Sequence, residues 1–287
     1  MVLQTTGSGV QWVTPASLDL PAALFTGVSD AYDVSTAQDP VIALSVSAVQ
    51  NNPRSILFND DGTTLYLLGV TGTDIDEYTL STPYDISTGS HTGLALDIGV
   101  QEAFPTAMQF NNDGTVLYVL GFAGNDVNAY PLPTPYDISS YTSGTTVVLD
   151  ASDQETVSQA MIFNNTGTKL YIMGQTGDDI NEYTMSVPYD ISTAIFDSVA
   201  LVVSVQEIDP VAMIFNDDGT ELYVLGLDGD DINTYPLPTP YDISSYTSGT
   251  SVVLSVSGQE ANPSDMIFNN DGSSLYVLGR SGQDITE

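Results

Sequence analysis

The segment Phe110-Asn111-Asn112-Asp113-Gly114-Thr115-Val116-Leu117-Tyr118-Val119-Leu120-Gly121 occurs, with small changes, five times in this chain. The other copies begin at Phe58, Phe163, Phe215 and Phe268, so successive copies lie 52, 53, 52 and 53 residues apart. A fixed period of this size constrains the fold more than any other feature, because it belongs to propellers and solenoids. Each repeat carries four short apolar runs. In the second copy they are A (107–110), B (116–120), C (127–132) and D (146–149). Asp113-Gly114 between A and B is a hairpin signal, because Gly accepts the positive φ of a tight turn. Run B is apolar on both faces, as expected of a strand buried between stacked sheets. The connection from Thr134 to Ser140 carries the Pro and Asp of a loop. No run has a helical period. The expectation is an all-β fold, a five-bladed β-propeller of four-stranded antiparallel blades.

Counting runs addresses closure. Five A, five B and five D runs are present, the first D at residues 41–46. Complete C runs begin at Ile75, Val127, Ile180 and Ile232, and Asp284-Ile285-Thr286-Glu287 starts a fifth. Tyr32-Asp33-Val34-Ser35-Thr36 matches the Pro-Tyr-Asp-Ile-Ser loop of the repeats, which sets residues 23–28 at a C position. The N-terminal strand or strands should therefore complete the blade that the C-terminus begins, leaving no exposed edge where the ring joins. The domain reading is an attachment or linker segment at 1–20 and a propeller at 21–287. A piece of a longer protein with six or seven blades is the alternative.

Two resemblances bear on identity. Val2-Leu3-Gln4-Thr5-Thr6-Gly7-Ser8-Gly9-Val10-Gln11-Trp12-Val13 resembles an element that recurs in fibre and tail-fibre proteins of tailed bacteriophages. The Phe-Asn-x-Asp-Gly-Thr-x-Leu-Tyr-Val hairpin resembles the YVTN-type propeller repeats, over residues from about 40 to the end. The chain departs from that pattern in its long Pro-Tyr-Asp-Ile-Ser connection.

Charge narrows the partners. There are 37 acidic residues against three basic ones, Arg54, Lys169 and Arg280. So negative a surface repels nucleic acid, which needs Lys and Arg to neutralise phosphates. It suits a salty medium, where screening weakens self-repulsion. No apolar run reaches the ~18 residues of a membrane helix, so no membrane insertion is expected. With no Cys, the chain needs no disulfide.

Alternating radial strands sort the connections onto two faces. The A–B and C–D face should gather Asn59, Asn111, Asn164, Asn216 and Asn269 with Tyr84, Tyr136, Tyr189 and Tyr241. Flat rings beside fixed polar groups suit a sugar ligand. The plainer reading is that each Asn sets its turn and each Tyr packs on its own blade. The B–C and D–A face should gather Asp74, Asp126, Asp179, Asp231 and Asp284 with the Gln-Glu pairs at 101–102, 154–155, 206–207 and 259–260. Oxygen ligands of this kind suit Ca²⁺, the one candidate cofactor. The plainer reading is again turn chemistry, with backbone N–H groups bonding each Asp.

No catalytic group stands out. His91 is the only His and sits in a variable connection, and no His or Cys cluster suits zinc. Five chemically similar blades suggest no specialised active site, so no enzyme is expected. The functional expectation is a structural or adhesive virion module, extracellular on a phage-like particle. Its partners would be other virion proteins and a host surface glycan or protein, with a homo-oligomer compatible. A secreted or surface bacterial adhesion propeller is the alternative, and a polysaccharide hydrolase or lyase is a third.

Overall fold

The computed structural model describes residues 2–6, 9–13, 31–37, 42–142, 147–248 and 253–287. Strands β1 (Val2–Thr6) and β2 (Gly9–Val13) form an antiparallel hairpin with Leu3 opposite Trp12 and Thr6 opposite Gly9. They make a sheet of their own. The proposed C-type strand at 23–28 lies outside the described residues.

Five four-stranded antiparallel sheets follow. Blade 1 is β4 (Pro53–Phe58), β5 (Thr64–Gly69), β6 (Asp74–Leu80) and β7 (Gly89–Asp97). Blade 2 is β8 (Pro105–Phe110), β9 (Val116–Gly121), β10 (Asp126–Pro131) and β11 (Val147–Asp150). Blade 3 is β12 (Ser158–Phe163), β13 (Lys169–Gly174), β14 (Asp179–Met185) and β15 (Ala194–Val202). Blade 4 is β16 (Pro210–Phe215), β17 (Glu221–Gly226), β18 (Asp231–Pro236) and β19 (Val253–Ser255). Blade 5 joins β20 (Pro263–Phe268), β21 (Leu275–Gly279) and β22 (Asp284–Thr286) to β3 (Ala43–Ser45) from the other end of the chain. The first strands β4, β8, β12, β16 and β20 each touch the next, and β20 touches β4, so the ring is closed. The fold is a five-bladed β-propeller.

The turns follow from side-chain chemistry. In blade 2 the Asn111 Oδ1 accepts from the Val116 N–H at 2.9 Å and the Asp113 Oδ1 from the Thr115 N–H at 3.1 Å. Gly114 supplies the positive φ of 68°. The C–D connection of each blade contains a short 3-10 turn whose preceding Asp accepts a backbone N–H, as Asp137 does from Ser139 at 3.0 Å. One expectation about placement changes: His91 lies inside β7, opposite Tyr78, and not in a loop.

The core consists of layers between blades rather than one central mass. Each of five buried clusters draws its residues from two adjacent blades. Strand β9 illustrates why: Leu117, Tyr118, Val119 and Leu120 are all at or below 2% exposure, so both faces are covered. At every junction one tyrosine hydroxyl crosses. Tyr66 donates to the Tyr136 carbonyl and Tyr118 to Tyr189, both at 2.5 Å. Tyr171 donates to Tyr241, Tyr223 to Tyr32 at 2.6 Å, and Tyr276 to Tyr84 at 2.7 Å. A Phe sits edge-on between the two rings, as Phe110 does at 5.0 Å from Tyr66 and 5.1 Å from Tyr136. Such pairs contribute about 0.5–1.5 kcal/mol beyond burial.

The fifth blade obeys the same rules with chain from the N-terminal side. The Tyr32 N–H donates to the Gly272 carbonyl at 2.8 Å, as the Tyr136 N–H does to Gly114. Ile285 of β22 pairs with Leu44 of β3. The expectation that N-terminal chain completes the last blade holds for this outer strand.

A Cβ on Gly114 would lie 2.4 Å from the Tyr136 ring, and one on Gly272 would lie 2.5 Å from the Tyr32 ring. Both sites also have positive φ. Gly114→Ala and Gly272→Ala should each destabilise by about 1–3 kcal/mol, read as matched shifts in urea midpoint. A silent Gly272→Ala beside a costly Gly114→Ala would show that Tyr32 does not hold the last blade.

Candidate functional site

On the A–B and C–D face, each Asn and Tyr singled out from the sequence lies at its own hairpin. Asn59, Asn111, Asn164, Asn216 and Asn269 each accept a backbone N–H across the turn, from Thr64, Val116, Lys169, Glu221 and Ser274. Tyr84, Tyr136 and Tyr241 lie over the hairpin glycine and donate to the Asp60, Asn112 and Asp217 carbonyls. Tyr189 reaches across to the Asn112 Oδ1 at 2.5 Å. Burial, and then neighbouring acidic side chains, push Tyr84 and Tyr241 up to about 12. The structure brings each Asn–Tyr pair together within a blade.

On the opposite face Asp74, Asp126, Asp179, Asp231 and Asp284 open the C strands. Behind them Glu102, Glu155, Glu207 and Glu260 are at most 3% exposed. Each accepts from the N–H two residues on, at 2.7–2.8 Å. Each lies where a Cβ on Gly121, Gly174, Gly226 or Gly279 would sit. Burial, then Glu102, raises the Asp126 carboxyl, and Asn128 donates to it at 2.9 Å. Blade 1 exchanges the partners. Gln50 replaces the Glu and Asp76 replaces the Asn, and the Gln50 Nε2 donates to Asp74 at 2.7 Å and Asp76 at 3.2 Å. Asp76 also meets the His91 Nε2 at 3.3 Å. Among the described residues no group of three or more His, Cys, Asp or Glu side chains is arranged to hold a metal ion.

The departure from five-fold chemistry lies in the central channel. A cavity of about 100 Å³ is walled by the first strands of all five blades. The equivalent wall positions are Ser55, Ala107, Ala160, Ala212 and Asp265. Asp265 Oδ2 accepts the Ile56 N–H of the next blade at 2.8 Å, and Oδ1 accepts the Met266 N–H at 2.9 Å. Burial pushes Asp265 up to about 6, against its bonds to Ile56, Ser55 and Met266. A carboxylate offers about four acceptor positions, so one remains for a ligand or water.

Next to that wall, toward the B–C and D–A mouth, two further positions break symmetry. Arg54 occupies the site of Thr106, Gln159, Val211 and Ser264, and Arg280 the site of Val70, Phe122, Gln175 and Leu227. Burial, then the Arg54 charge, pushes Arg280 down to about 10. Arg54 is lowered by burial as well. Gln175 Nε2 donates to the Asp209 Oδ1, in the connection that leads into blade 4. In the neighbouring blade Phe104 and Phe122 are 50% and 41% exposed, tied by a 2.9 Å backbone bond. The sequence reading passed over Asp265, Arg54 and Arg280 as site residues. Aligning the repeats position by position, Asp265 against three Ala and one Ser, was the signal that could have found them.

No protein-family model matches the chain, and no curated protein matches its sequence. Solved structures do match. A candidate 6-phosphogluconolactonase from Bacteroides uniformis is 15% identical, covering 71% of this chain and 55% of its own, with a TM-score of 0.49. The periplasmic gluconolactonase of Pseudomonas aeruginosa is 15% identical over 71% of this chain and 54% of its own, with a TM-score of 0.41. A nidogen/laminin complex is 12% identical over 79% and 72%, with a TM-score of 0.49. The chain thus spans about half the length of the lactonase structures that it resembles. At these identities the likeness is one of fold.

Two expectations need correcting. The similar structures include lactonases, and nothing in the comparisons links the chain to phage fibres or to the YVTN-type repeat. The virion module is therefore set aside. The expectation of no enzyme falls with it, since it rested on five chemically equivalent blades, and the blade 5–blade 1 seam carries a channel carboxylate and two arginines that no other seam has.

The pKa directions imply an acid-side stability optimum. Asp265 is raised from 3.8, so between about pH 4 and 6 the native state holds the proton more tightly than the unfolded chain, and stability falls as pH rises through that window. Asp61, Asp113, Asp218 and Asp271 are lowered by bonds from Thr63, Thr115, Thr220 and Ser273. Their contribution is present above the unfolded value and is lost as pH falls below it. Melting temperature should peak near about pH 4 and decline toward pH 6, and Asp265→Asn should flatten that decline. A melt that rises steadily to pH 8 would contradict this.

Proposed function

We propose that this propeller is a hydrolytic enzyme of small, polar substrates, with its centre at the B–C and D–A mouth of the central channel. The observation that carries the reading is the concentration of symmetry-breaking ionisable residues at one seam, with Asp265 in the channel wall. Active sites recruit groups whose pKa values burial has shifted. A carboxyl near 6 is largely ionised at neutral pH and still basic enough to take a proton from water. In ester or lactone hydrolysis the water oxygen would bond to the carbonyl carbon while its proton passes to the Asp265 carboxylate; the acyl C–O bond to the leaving oxygen then breaks, and that oxygen takes the proton back from Asp265. Ser55 and the Ile56 N–H hold that carboxylate in place. The lactonase names of the fold neighbours agree with this choice of bond but do not carry it.

A panel of aldonolactones and simple esters tests the reading. Turnover should rise with pH through an inflection near the Asp265 value of about 6, and Asp265→Asn should lower kcat by about 10²-fold or more while the protein stays folded. Absence of turnover across the panel, or an Asp265→Asn protein with full activity, would overturn it.

A further inference from the structure

Only three residues of this chain are basic, against 37 acidic ones. Lys169 is used in an ion pair with Glu182, at 2.5 Å. The other two, Arg54 in β4 and Arg280 directly after β21, come together where those strands pack on each other, and the charge of Arg54 adds to burial in lowering Arg280. Both are partly buried, and the Nε atom of each is buried without a hydrogen-bond partner. Among the described residues neither has a carboxylate within 4.0 Å; the ion pairs are His91–Asp76 and Lys169–Glu182. Asp209 is near enough to raise Arg280 but falls outside that range.

This arrangement runs against the chain's own interest unless something compensates it. Two like charges brought together and desolvated are costly, and a protein with this many carboxylates could have paired them at almost any site. The buried Gln50 exchange shows that the same blade does match its partners where structure alone is at stake, since an amide there meets two carboxylates. Among the described residues the arginines have no carboxylate within 4.0 Å, and on the same face blade 2, which adjoins the Arg54 blade, exposes Phe104 and Phe122.

We propose that Arg54 and Arg280 form an anion clamp that holds a carboxylate or phosphate group of a small ligand, whose carbon skeleton lies against Phe104 and Phe122. The guanidinium is suited to this because its planar donors bond carboxylate and phosphate oxygens in pairs. A single anion between two guanidinium groups neutralises their mutual repulsion and supplies acceptors to the unpartnered donors. The phenyl faces add apolar area for a sugar or ring. This deepens the hydrolase reading by naming the substrate class, a small anionic one. The binding step itself stands whether or not catalysis follows.

Isothermal titration calorimetry at constant ionic strength tests the clamp, with inorganic phosphate in one arm and gluconate in the other. Saturable binding is expected in at least one arm, and the stronger arm identifies the preferred anion. Arg54→Gln or Arg280→Gln should weaken it at least about tenfold, whereas Lys169→Gln should leave it unchanged. Either Arg→Gln variant should melt no lower than the parent without added anion, because relief of charge burial offsets lost packing; that melt also checks the fold. No saturable binding in either arm, or binding that survives both substitutions, would overturn the clamp. Arginine-dependent binding without turnover would remove only the hydrolase reading, and turnover without anion binding would remove only the clamp.

Discussion

The tyrosine hydroxyl that crosses each blade junction is the interaction on which the rest of this ring depends. Strands within a blade satisfy their backbone groups by pairing, but neighbouring blades meet face to face and share no ladder. Something directional must set their rotation about the axis. The second-strand tyrosine does so, with its ring packed on the next blade's Phe and its hydroxyl bonded to the carbonyl of that blade's loop tyrosine. The loop tyrosine holds a positive φ, and the missing Cβ of the hairpin glycine makes room for its ring. One contact thus joins the hairpin, the loop and the junction. Tyr32 takes the same role in the last blade, so the two ends of the chain are joined by the same chemistry as any internal pair.

A ring built this way is a symmetric background against which departures can be read. Some are compensated. Gln50 and Asp76 exchange amide and carboxylate with the Glu and Asn of the other blades, and the hydrogen bonding survives. The exchange lets the fold keep two carboxylates and an amide at that site in blade 1, as in blades 2, 3 and 4. Asp265 is partly compensated, by two backbone N–H groups and Ser55, at the cost of a raised pKa. Among the described residues Arg54 and Arg280 have no carboxylate within 4.0 Å, and the Nε of each is buried without a hydrogen bond. The three uncompensated or strained charges share one seam, between blades 5 and 1.

Much of the fold was legible. The Asn-x-Asp-Gly turns, the two-sided apolar second strands and the outer strand donated from the N-terminal side follow from local patterns that each repeat states again. Repetition makes such patterns readable, because five copies separate what the fold requires from what varies. The same repetition obscured the site. Asp265 looks like one more acidic residue among 37, and Arg54 and Arg280 lie 226 residues apart. His91 looked like a loop residue because the run containing it is rich in Gly, Ser and Thr, yet blade 1 extends its outer strand through it.

Sequence alone determined the blade, its turns and the number of repeats, because these rest on contacts within about fifty residues. It also determined the charge balance, 37 acidic residues against three basic ones. Only the tertiary structure decided that β20 closes on β4, bringing Asp265 against Ser55 and Arg280 toward Arg54. The physical reason is that closure of a ring joins residues from its two ends, and no local pattern encodes how side chains from the first and last blades share one low-dielectric mouth.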